Sequence, residues 1–154
     1  MTRKLLRLTV VVTLIAITGP PAAAQPLGTW AKKVNAICRP DVKIANGKAK
    51  LANQAFARGK YARAGRFGLQ SVQIGQRVRR RITRLAPPDA LESVARAYLT
   101  TQGAQLRKAR SGDLALINGR VGQARARLRA AKNFDDLSER HARTLGIYAA
   151  CEKG

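Results

Sequence analysis

Acidic residues are scarce in this 154-residue chain: 8 Asp and Glu stand against 30 Lys and Arg, a formal net charge of +22. With so few carboxylates, the arginines find few i,i+4 partners, and cationic helix faces stay uncompensated. Histidine is nearly missing too, His141 being the single example. One histidine without spaced partners makes neither a metal site nor a hydrolytic pair, and the chain has no G-x-S-x-G sequence. Its neighbours Asp135, Asp136 and Glu139 spread around a helix instead of converging, so they read as capping groups beside a half-buried imidazole. Asp89 and Glu92 resemble a glycosidase dyad only in spacing; both belong to a first helical turn, where anions favour the helix dipole. Aromatics make up 5% of the chain and fall mostly on apolar stripes, which does not suit the base stacking of single-strand or sequence-specific nucleic-acid recognition. No stretch alternates with the period of two that a half-buried strand requires. No apolar run approaches the roughly 20 residues of a bilayer span. These shortages exclude the common enzyme classes, and neither a catalytic residue nor a cofactor or metal is expected.

The N-terminus carries an export pattern. Thr2-Arg3-Lys4-Leu5-Leu6-Arg7 is basic and leads into the apolar segment Leu8 to Ile17, then Gly19-Pro20-Pro21 and Ala22-Ala23-Ala24. The layout is that of a signal peptide over residues 1–24, cut between Ala24 and Gln25. Gln25 in place of a cysteine argues against a lipoprotein. The remainder, residues 25–154, is the size of one domain with one core. Arg3, Lys4 and Arg7 leave with the signal, so 27 basic residues face 8 acidic ones, a balance of +19. Cys38 and Cys151 both remain, and an even count in an exported chain predicts a disulfide.

Ala, Leu, Arg, Lys and Gln dominate, and apolar residues recur at helical spacing, which predicts an all-α, up-down four-helix bundle. Thr29 is read as the cap of a first helix carrying Trp30, Val34 and Ile37, interrupted near Pro40, resumed through Ile44 and Leu51, and closed by Gly59. A second helix runs from Tyr61 to about Leu85, with small residues at Ala64, Gly68, Ser71 and Gly75, and stops at Pro87-Pro88. A third opens at Asp89 in a capping-box pattern with Glu92 and carries Val94, Ala95, Tyr98 and Leu106 to a turn at Ser111-Gly112-Asp113. The fourth holds Leu114, Ile117, Val121, Ala124 and Leu128. Its stripe changes direction near Asn133, where a bend or restart is expected, and Gly146 ends it. No internal repeat is evident.

Trp30 to Cys38, the Leu85-Ala86-Pro87-Pro88 stop, and the closing Leu145-Gly146-Ile147 with Cys151 resemble small exported helical proteins of high-GC Gram-positive bacteria. Those families mostly lack an assigned activity, so the resemblance implies fold and export and adds no catalytic residue. The densest charge, Arg77, Arg79, Arg80, Arg81 and Arg84, surrounds Val78, Ile82 and Leu85, which share the opposite face. Guanidinium groups suit phosphate and carboxylate oxygens. The expected role is therefore non-enzymatic association with an anionic cell-wall polymer, lipid head groups or another polyanion. The alternative is an envelope scaffold or protein–protein interaction module whose charge is incidental.

Overall fold

The structure, a computed structural model, describes residues 28–153; the expected signal segment 1–24 and its expected cut between Ala24 and Gln25 lie outside the described residues. Four long helices form an all-α bundle: α1 (Thr29–Ala57), α2 (Tyr61–Ile82), α3 (Glu92–Ile117) and α4 (Val121–Thr144). A 3-10 turn (Asp89–Leu91) leads into α3, and a π-helical turn (Ala149–Lys153) closes the chain. Consecutive helices pack side by side, but the fourth side, between α1 and α4, is not closed by comparable packing. There the π turn lies against α1, and Cys38 and Cys151 are disulfide-bonded.

Three glycines set the helix stops. Gly59, Gly119 and Gly146 have φ values of 70°, 71° and 69°, a left-handed conformation that costs an L side chain roughly 1–2 kcal/mol. Each sits in a Schellman arrangement. The N–H groups of Gly59 and Lys60 donate to Phe56 O and Ala55 O at 3.0 and 2.9 Å, and those of Gly119 and Arg120 donate to Leu116 O and Ala115 O at 3.1 and 2.8 Å. Those of Gly146 and Ile147 reach Arg143 O and Ala142 O, both at 3.0 Å. Gly119→Ala is expected to lower unfolding free energy by about 1 kcal/mol, measured by urea denaturation. No loss would mean that the turn relaxes at no cost.

Several sequence expectations are corrected. Pro40 does not divide α1, because it and Ala36, whose carbonyl it leaves free, lie on the exposed side where water can serve that carbonyl. Thr29 is the first helical residue and Gly28 the cap, without a side-chain bond. Asp89 and Glu92 form no capping box; Glu92 instead pairs with Arg96 at 2.5 Å. α2 ends at Ile82, short of Leu85, and Thr83 Oγ1 donates to Arg80 O at 2.9 Å. Ser111-Gly112-Asp113 is helical. Gly112 serves packing there, since a Cβ on it would meet Leu128 Cγ at 2.7 Å, and the turn comes at Asn118-Gly119-Arg120. α4 neither stops nor restarts at Asn133. Its buried seam is Ala124, Ala131, Ser138 and Ala142, whereas Phe134 is half-buried and Leu137 exposed. Small residues carry the packing there, so the large apolar residues misdirect the stripe.

The elements recur at a common spacing, a structural repeat with little residue identity. The hairpin glycines Gly59 and Gly119 are 60 positions apart, as are the helix starts Tyr61 and Val121 and the element starts Thr29 and Asp89. At the same offset the pairs Cys38/Tyr98, Ala55/Ala115, Ala64/Ala124, Val78/Ser138 and Ile82/Ala142 are all buried. The bundle is thus two helical hairpins whose turns and helix starts fall at matching positions, packed through α2 and α3. The repeat keeps these positions buried but changes residue size at Cys38/Tyr98 and Ile82/Ala142, with identity only at scattered positions such as Ala55/Ala115, which hides it from inspection.

The core falls into two clusters. Around the disulfide lie Trp30, Val34, Val78, Ile82, Tyr98, Leu145 and Ile147, with Trp30 Nε1 donating to Leu85 O at 3.4 Å. At the hairpin tips the core is Ala55, Ala64, Ala115, Leu116 and Ala124.

Candidate functional site: a cationic hairpin end and an interhelical cleft

The up-down topology brings the turns at Gly59 and Gly119 to one end of the bundle, where both line a shallow depression with Lys60, Arg63 and Arg66. Charge is distributed unevenly between this end and the other. Residues 43–66 contain seven cations and no acid, and residues 107–129 contain seven cations and one acid, Asp113. Asp113 is 5% exposed, so it adds no surface carboxylate. The other seven acids, Asp41, Asp89, Glu92, Asp135, Asp136, Glu139 and Glu152, all belong to the opposite, disulfide-bearing half. The repeat doubles this pattern: Lys48/Lys108, Lys50/Arg110 and Lys60/Arg120 are related by the same offset of 60 that separates Gly59 from Gly119.

The arginine cluster singled out from the sequence lies in the acid-containing half and is partly committed. Arg77 and Arg81 bracket Asp41 of α1 at 3.6 and 3.2 Å. Arg79 turns inward, donating from Nε to Leu99 O at 2.9 Å and resting on Gly103. Arg80 and Arg84 are exposed and make no ion pair among the described residues. The five residues therefore do not form one free face. Of the 27 cations in the described residues, the ion pairs engage Arg77, Arg81, Arg96, Lys132 and Arg143. None of these lies in either tip segment.

The unsealed α1–α4 side exposes a cleft floored by α2 and α3. Near the tips it is a cavity of about 350 Å3 lined by Ala52, Phe56, Val72, Leu116, Leu128 and Asp113. Ala49, Ser71, Val72 and Ala109 join it to a second cavity of about 340 Å3, beside the disulfide, lined by Gln102, Gln105, Asp135 and Glu152. Close approach of α2 and α3 seats the acid of the first cavity. A Cβ on Gly68 would meet Asp113 Oδ1 at 2.1 Å, so only glycine lets that carboxylate lie against α2. Among the described residues, no hydrogen bond or ion pair reaches the Asp113 carboxylate. Burial pushes its pKa up to about 7.

The second cavity is polar and better satisfied. Gln105 Nε2 donates to Asp135 Oδ1 at 2.6 Å, Ser138 Oγ to Glu152 Oε1 at 3.3 Å, and Gln102 Nε2 to Tyr98 Oη at 3.0 Å. Gln102 Oε1 is buried without a partner. Burial, reinforced by the charge of Asp135, raises Glu152 to about 7. Asp135 is raised by burial and by Glu139.

Comparisons with protein families, curated proteins and solved structures find no significant match. The site therefore stands on its own chemistry. Sequence reasoning read Tyr98 only as part of an apolar stripe and Asp113 only as part of a turn, and did not single out Gln102 or Glu152; an acid within the apolar run of α3 was the available signal for Asp113. His141 lines a shallow groove with Asp89, Glu92 and Leu137, and no group of three or more metal-ligating side chains is present among the described residues. No helix among them is long and apolar enough to cross a membrane.

Proposed function

We propose that this chain is an exported, non-enzymatic protein that associates with anionic polymers or surfaces, chiefly through the paired hairpin tips. The single observation that carries the reading is the separation of charge. Fourteen cations in residues 43–66 and 107–129 share their half of the bundle with one carboxylate, and that one is buried. Exposed like charges without counterions attract polyanions within a Debye length of about 10 Å at 0.1 M salt. Guanidinium and ammonium groups spaced over two helices suit phosphate or carboxylate oxygens without reading a sequence. The disulfide fits an oxidising compartment, and with the basic-then-apolar N-terminus it supports export. The exposed Arg80 and Arg84 extend the surface as secondary contacts.

Quantitative elution from a heparin-like or polyphosphate matrix tests the proposal. A Lys60→Gln, Arg63→Gln, Arg66→Gln, Arg120→Gln variant is expected to elute at clearly lower salt. Its log K against log salt should be shallower by somewhat less than one unit for each phosphate contact removed. An Arg79→Gln, Arg80→Gln, Arg81→Gln variant should shift less. Unchanged elution of the tip variant would refute the tip assignment. Retention of a protein partner from envelope extract at high salt, with no polyanion affinity, would favour the scaffold reading.

A further inference from the structure

We propose that the cleft beside Asp113 is a binding site for a small amphiphilic amine, its ammonium against the Asp113 carboxylate and its hydrocarbon among Phe56, Val72, Leu116 and Leu128. The site is independent of the polyanion surface. Three observations carry it. Asp113 is 5% exposed as a residue and borders the cavity, and its oxygens are not among the sealed-off unpaired polar atoms. No hydrogen bond or ion pair from the described residues satisfies it, whereas buried carboxylates are ordinarily paired. The space before it, about 350 Å3 and lined mostly by carbon, falls in the range of small-molecule sites, which combine apolar walls with few convergent polar groups.

Ligand chemistry follows from the lining. A carboxylate or phosphate head would face a like charge in a medium that screens poorly. A neutral apolar ligand would seal the acid in without a partner, leaving its desolvation uncompensated. An ammonium supplies both the charge and up to three donors. The cationic exterior does not veto entry, because exposed charges are screened beyond about 8 Å at physiological salt while the buried carboxylate is not. The unsealed α1–α4 side provides the path. The linings contributed by α1, α2 and α4 contain no titratable side chain. The nearby cations face outward: Arg125 stacks on Phe56 at 5.7 Å, and Arg127 donates to Ser111 O at 3.1 Å.

Calorimetric titration of the oxidised mature protein with alkylammonium ions tests the site, with octanol and octanoate as comparisons. Octylammonium is expected to bind, octanoate not to bind, and octanol to bind at least tenfold more weakly. From butyl- to hexylammonium the affinity should rise about fourfold per methylene, as expected for burial of one CH2. Because the Asp113 carboxyl ionises near pH 7, affinity should increase about tenfold from pH 6 to pH 8. Asp113→Asn should weaken octylammonium at least tenfold with an unchanged circular dichroism spectrum. Gly68→Ala provides an independent variant, since its methyl displaces the carboxylate, and it should also lose binding. In the wild type, the Asp113 13C carboxyl signal should titrate at lower pH when octylammonium saturates the protein. Absence of octylammonium binding, equal affinity for octanol, or wild-type affinity in Asp113→Asn would overturn the assignment.

Discussion

Replacing Cys38 and Cys151 together by serine is expected to lower the melting temperature by roughly 10–20 °C, as read from far-UV circular dichroism. The bridge closes a loop of 113 residues, for which chain entropy alone gives about 5 kcal/mol of stabilisation. Topology concentrates its effect. α1 leans on α2 but finds little packing on α4, and the π turn bearing Cys151 covers that side at one end. Without the bond, the repulsion of an uncompensated cationic exterior has no covalent opponent. Hydrogen exchange should therefore accelerate first in residues 147–153 and at the start of α1, while α2 and α3 keep their protection. A shift below about 3 °C, or uniform loss of protection, would show that the bridge is not the closure of the bundle.

Asp113→Asn is expected to stabilise the protein at pH 8, by about 1–3 kcal/mol, and to have little effect at pH 4. The sign follows from linkage. Burial raises the folded-state pKa from the ordinary 3.8 to about 7, so folding favours the neutral acid. That contribution is complete below the unfolded pKa and is lost as pH rises through the folded one. A difference of about three units sets an upper bound near 4 kcal/mol. Glu152, raised to about 7, adds to the same loss between about pH 4.5 and 7. Glu152→Gln should gain less, because it disturbs the bond from Ser138. Denaturation midpoints at pH 4, 6 and 8 decide the matter. A destabilised Asp113→Asn, or a pH-independent difference, would contradict the assignment. A carboxylate buried at such a cost is the pattern of a functional group that trades stability for binding.

Much of the fold was legible because helix period, proline and glycine stops are local properties. Tyr61 as the start of α2, Pro87-Pro88 as the inter-helix break, Gly59 and Gly146 as terminators, and Trp30 as a core anchor follow from neighbours within a few residues. Two of the errors share one cause. At Ser111-Gly112-Asp113 and Asn133 the residues resemble breakers or a redirected stripe, yet a neighbouring helix rewards small residues there: Gly112 receives Leu128, and Ala131 and Ser138 form the α4 seam. The arginine cluster was conspicuous in sequence because it is dense. Its engagement with Asp41 and Leu99 O joins residues 20 to 40 positions apart.

By itself the sequence determined the helical class, the cysteine pair and the excess of 27 cations over 8 acids in the described residues, since these rest on composition and short-range periodicity. Only the tertiary structure decided that Asp113 is buried against Gly68, that the α1–α4 side stays unsealed, and that one end of the bundle carries no exposed acid. Those features depend on which helix faces meet across distant parts of the chain, and packing sets that through many weak contacts that no local pattern encodes.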